Sequence, residues 1–288
     1  MSEDLSRSIR LFGTDQPVAP ARLLRAGGLS AELEAGNLRY VSFGGVEMIR
    51  AISYIVRDKN WGTYNPRVSD LSIDETADGF RVSYHADAGD AQQQFAYDAE
   101  IVGRADGTLR VAARGKAVSD FLTNRTGFVV LHPIENVAGR PARVTDTTGK
   151  TTDTRFPDLI DPVQPMMNLR AIRHQFAPGA QVECRMEGDA FEMEDQRNWT
   201  DASYKTYVRP LALPWPYTIA KGEELDQSVT LTVTGAAPAR AGGDEPVRVR
   251  LGETAGATPA LGLGLDPDDA AAALAHADAL RAVGASHL

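Results

Sequence analysis

Residues 191–207, Phe-Glu-Met-Glu-Asp-Gln-Arg-Asn-Trp-Thr-Asp-Ala-Ser-Tyr-Lys-Thr-Tyr, hold the densest chemistry in the chain. Phe191 and Met193 alternate with Glu192 and Glu194 as in a strand, and a run of ionisable, amide and aromatic side chains follows. Surface turns of β proteins are normally written in Gly, Ser, Asp and Pro. Here Glu194, Asp195, Arg197, Asn198, Trp199, Asp201, Lys205 and two tyrosines take their place. Carboxylates and amides suit the hydroxyls of a polyhydroxylated ligand, and Trp or Tyr covers the C–H face of its ring. The same residues also suit a solvated loop whose charges pair with each other.

Other chemistry is sparser. His132 ends the apolar run 126–131 and precedes Pro133, which should stop the ladder and turn the imidazole toward a sheet rim. His174 alternates with apolar neighbours and reads as exposed on a sheet face, and His85 as a surface residue. Trp61 sits in an amide-rich loop, 59–65, as a further stacking platform, whereas Trp215 reads as a core ring at a strand end. G-x-S-x-G, H-E-x-x-H, C-x-x-C and P-loop signatures are absent from the sequence. No spacing demands a metal or any other cofactor.

These groups need a scaffold, and the pattern over residues 21–236 is β. Leu29, Ala31 and Leu33 alternate with Ser30, Glu32 and Glu34, and Phe80, Val82 and Tyr84 alternate after Asp78-Gly79. Asp106-Gly107, Pro178-Gly179 and Gly188-Asp189 punctuate further short strands. So many strands predict one large antiparallel two-sheet sandwich. An N-terminal arm, 1–20, precedes it, and a Pro/Ala/Gly-rich linker, 237–258, follows. Within 259–288, Ala260–Leu265 predicts a buried strand, and Asp266-Pro267 a capped helix start. Ala270, Leu274, Ala277 and Leu280 space a helix that stops at Gly284. A lone βα unit cannot cover its own faces, so this segment is expected to open a truncated TIM barrel.

With 288 residues and a formal charge of −9, the chain suits neither nucleic acid nor an anionic membrane. Its single cysteine, Cys184, excludes an intrachain disulfide and fits a reducing cytoplasm. The sequons at Asn124 and Asn198 are read as chance. A homo-oligomer stays open.

Three segments, 127–133, 192–207 and 210–217, resemble the bacterial D-apionate lactonase family of apiose catabolism. The resemblance implies a mutarotase-like β-sandwich followed by a TIM barrel. It also implies hydrolysis of a five-membered sugar lactone to the open branched aldonate. Such a reaction needs an activated water and donors for an oxyanion. Residue types nominate Glu194 or Asp195 as base, Arg197 as oxyanion or carboxylate partner, and His132 as acid or base. Asn198, Trp199, Trp61 and Tyr204 would hold the ring. Two alternatives are a non-catalytic sugar-binding or packing sandwich, and an aldose epimerase-like sandwich.

Overall fold

The computed structural model describes residues 9, 13–15, 20–197, 201–236, 248–257 and 259–287. Two compact units form, Met1–Ala241 and Gly242–Leu288.

The first unit is built from β1 (Arg22–Ala26), β2 (Leu29–Glu34), β3 (Asn37–Phe43), β4 (Val46–Val56), β5 (Arg67–Glu75) and β6 (Gly79–Gly89). It continues with β7 (Gln94–Arg104), β8 (Leu109–Ala117), β9 (Phe121–Thr123), β10 (Thr126–Pro133), β11 (Pro141–Asp146) and β12 (Thr151–Arg155). The last six strands are β13 (Met166–Ala177), β14 (Ala180–Glu187), β15 (Phe191–Glu194), β16 (Ser203–Val208), β17 (Tyr217–Ile219) and β18 (Glu224–Gly235). Sixteen of them share one sheet, in the order β1-β2-β3-β4-β10-β16-β15-β13-β14-β18-β8-β7-β6-β5, with β11 and β12 carried on β13. Every pairing is antiparallel. The sheet curls until β1 meets β6 and β10 meets β18 across a shared core.

Alternation explains which side chains fill that core. Phe80, Val82, Tyr84, Ala86 and Ala88 of β6 are buried, while Arg81, Ser83 and His85 are not. His85 lies between Asp87 and Asp98 at the surface, and these carboxylates, with Asp98 first, raise its pKa. Tyr54 anchors the centre, edge-on to Phe128 at 5.2 Å and 4.5 Å from the Tyr97 ring. Gly107, at φ +86°, makes the β7–β8 turn where the Asp-Gly pair stands.

In the second unit Asp266 accepts from the N–H of Asp268 at 2.9 Å, with Pro267 at the helix start. Two short helices follow, α1 (Ala270–Ala275) and α2 (Ala277–Val283), ending at Gly284 with φ +69°. The single helix expected is thus interrupted at His276. Gly262 and His287 form a parallel bridge. The apolar stripe of the two helices buries nothing among the described residues. Ala260–Leu265, expected as a buried strand, forms only that parallel bridge among the described residues, and Leu261 and Leu265 are exposed, because a strand without neighbours has no ladder to join.

Candidate functional site

Strand alternation sorts residues 191–207 onto two faces. Phe191 and Met193 of β15, and Tyr204, Thr206 and Val208 of β16, point into the core. Glu192, Glu194, Lys205 and Tyr207 therefore share the opposite face. Register pairs Glu194 with Lys205 and Glu192 with Tyr207. Tyr204 and Lys205 thus lie within a strand, where a loop was expected.

Arg125, just before β10, reaches onto this same face. Its guanidinium donates to Glu194 at 2.9 Å and lies 3.4 Å from Glu192, and all three side chains are almost wholly buried. It also lies 4.3 Å from the Tyr207 ring centroid and 5.8 Å from that of Trp61. Gln196 donates to the second oxygen of Glu194, and the Tyr207 hydroxyl donates to Gln196 at 3.3 Å. The N–H of Leu211 donates to Glu192 at 2.7 Å. Burial raises the pKa of Glu192, while the Leu211 N–H and Arg125 oppose that rise.

Lys205 is anchored beside the acids. Its ammonium donates to the carbonyls of Gln196 (2.8 Å) and Asp201 (2.9 Å) and to Ser203 Oγ (3.2 Å). Burial lowers its pKa, and the nearby carboxylates work in the other direction. Trp61 stands at the margin of the cluster, 5.2 Å from the ring of Trp215. Trp215, expected in the core, is half exposed instead.

Four nominated residues lie elsewhere. His132 is fully buried, paired in register with Tyr204 and packed edge-on to His174 and at a tilt to Phe156, so it faces the core and not a rim. It and Glu194 are on opposite faces of the sheet. Tyr204 is also a core residue, its hydroxyl donating to the Pro157 carbonyl at 2.5 Å. Asp195 and Arg197 form a two-pronged pair, 2.8 and 2.9 Å, with the Asp195 side chain at 0% exposure. Arg197 also donates to Asp158 O and Asp195 accepts the Asp161 N–H, so the pair bolts down the 158–161 loop. His174, expected on an exposed face, is buried because 172, 174 and 176 are the inward positions of β13. Asn198 and Trp199 lie outside the described residues. Glu194 and Trp61 are the nominated residues that reach the polar face.

Sequence reasoning passed over Arg57, Asn124 and Arg125. The signal for Asn124 and Arg125 was a polar run, Thr123-Asn-Arg-Thr126, set directly against an apolar strand. Among the described residues, no three His, Cys, Asp or Glu side chains converge as metal ligands. No described helix is long and apolar enough to cross a membrane.

The curled antiparallel sandwich that carries this buried acid–arginine cluster is a β domain of mutarotase-like fold. In fold it is similar to galactose 1-epimerase from Lactobacillus acidophilus NCFM, with TM-score 0.50 and 8% identity over 73% of this chain and 92% of that one. A galactose mutarotase-like protein from Clostridium acetobutylicum gives TM-score 0.49 and 10% identity over 74% and 95%. Residues 9–236 match the family described as D-apionate lactonase, N-terminal domain, and the chain belongs to it. It is 47% identical over 277 residues to the D-apionate lactonase of Brucella anthropi, covering 95% of this chain and 46% of that protein. The chain therefore spans about half the length of that relative.

Proposed function

We propose that the protein is a D-apionate lactonase of apiose catabolism, acting in the cytoplasm, and that this chain supplies its N-terminal β domain. The family match over residues 9–236 carries the reading. The parallel bridge of the second unit supports reading that unit as the opening of a TIM barrel.

Lactone hydrolysis adds water to the acyl carbon and breaks the ring C–O bond, leaving a carboxylate and a free hydroxyl. On the polar face, Glu194 is the group suited to take the proton of the attacking water. A carboxylate accepts about four hydrogen bonds, so its contacts with Arg125 and Gln196 leave capacity. Arg125 is placed to balance negative charge on the tetrahedral intermediate, and Trp61 to cover the ring.

A second reading has its own support. Glu192 and Glu194 are already held by Arg125, Gln196 and the Leu211 N–H. A face so fully bonded suits binding the sugar acid while chemistry proceeds elsewhere in the longer protein. Glu194→Gln in the complete protein, assayed by proton release from the lactone, separates the two. Loss of roughly 10²–10⁴ in kcat is expected of a general base. A raised KM with unchanged kcat would assign the face to binding.

A further inference from the structure

Arg57 and Arg125 face each other across the sheet. Val56 pairs with Thr126 in the β4–β10 ladder, and the next rung brings Arg57 N–H to the Arg125 carbonyl at 3.0 Å. Cross-strand partners project to the same face, and like charges directly opposite destabilise a sheet. Both guanidiniums lie over the same two rings. Arg57 is 5.8 Å from Trp61 and 5.9 Å from Tyr207, and Arg125 is 5.8 and 4.3 Å from them.

The carboxylates are divided unequally. Glu192 and Glu194 both go to Arg125. Among the described residues Arg57 has no carboxylate partner, and the one hydrogen bond its side chain donates goes to the Trp61 carbonyl at 3.4 Å. Asp58, next in the chain, gives its Oδ1 to the N–H groups of Asn60 and Gly62. Arg125 thus takes both carboxylates of this face, and its cross-strand neighbour Arg57 is left without one. Three polar atoms here are buried without a hydrogen-bond partner among the described residues: Arg57 Nε, Arg125 Nε and Asn124 Oδ1. Arg125 and Asn124 are 2% and 3% exposed. Unsatisfied buried groups and local rule-breaking concentrate where something else binds.

We propose that Arg57, Arg125 and Asn124 form an anion subsite for an α-hydroxy carboxylate. The two guanidiniums supply N–H donors to the carboxylate, a geometry arginine suits. Asn124 Oδ1 accepts from the adjacent hydroxyl. The reading above enters only in naming the anion: the open aldonate that lactone hydrolysis releases has this group.

The test is calorimetric titration of the complete protein with D-apionate, with neutral erythritol and with sulfate. D-apionate should bind at least tenfold more tightly than erythritol. Arg57→Gln should weaken D-apionate at least tenfold, and Arg57→Lys should recover part of the loss. Without ligand, Arg57→Gln should hold or raise Tm, because it removes a like-charge rung, and D-apionate should no longer raise it. Equal affinity of wild type for D-apionate and erythritol would overturn the subsite. So would unchanged D-apionate binding by Arg57→Gln, or sulfate binding as tightly as D-apionate. Failure of the lactonase reading is distinct: no lactone is opened, yet Arg57-dependent anion binding persists.

Discussion

His132 and His174 meet edge to face inside the sandwich, with ring centroids 5.4 Å apart and, among the described residues, no hydrogen-bond partner on any of their four ring nitrogens. Phe156 lies within 5.7 Å of both rings. Two imidazoles so placed act as apolar rings, and they are stable there only when neutral.

Acid sensitivity follows. Burial holds His132 well below the usual histidine value, with His174 adding to the effect, and burial lowers His174 to about 4. The unfolded chain takes up these protons near pH 6.5 and the folded chain does so only at lower pH. Stability is therefore full above pH 6.5 and falls as pH drops from there toward 4. For His174 alone the loss is on the order of 3 kcal/mol by pH 4. Urea unfolding of wild type and His174→Leu at pH 7.5 and 5.0 checks this. The variant should lose less stability between the two pH values, and equal losses would count against it.

Arg125 neutralises two buried carboxylates at once. Arg125→Met should cost about 3–5 kcal/mol, the usual penalty for stranding buried charge. Adding Glu192→Gln and Glu194→Gln should return much of it. Urea midpoints of the single and triple variants measure the coupling.

The Asp195–Arg197 pair predicts a local effect. Asp195→Asn should cost about 1–3 kcal/mol and release the 158–161 loop. Hydrogen exchange at the Asp161 amide, which donates to Asp195 at 3.0 Å, should quicken while the centres of β6 and β7 stay protected.

Gly103 is paired in register with Phe80, whose ring occupies the place of a side chain there. A Cβ at Gly103 would fall 2.2 Å from that ring. Gly103→Ala should therefore destabilise by roughly 1–3 kcal/mol through overpacking. A thermal midpoint equal to wild type would contradict the placement.

Much of the fold was legible in the chain. The strands around Leu29–Glu34 and Phe80–Tyr84, the Asp106-Gly107 turn and the Asp266 cap each rest on a local rule of alternation, positive φ or capping. The site was legible only in part. Glu194 and Trp61 share the polar face with Arg125, whereas Asp195, Arg197, His132 and Tyr204 lie off it. A residue type says what a group can do; the register of the strand beside it says where the group points.

Residue order along single strands and turns determined that this protein is a large antiparallel β domain rich in acid, amide and aromatic groups, because those preferences act over a few residues. Tertiary pairing alone decided that Arg57 confronts Arg125, that Glu192 and Glu194 converge on one guanidinium, and that His132 turns inward. Those relationships join residues 67 to 69 positions apart, or set one strand's face against another's. Only the closed sheet, with its burial and its ladder, fixes them.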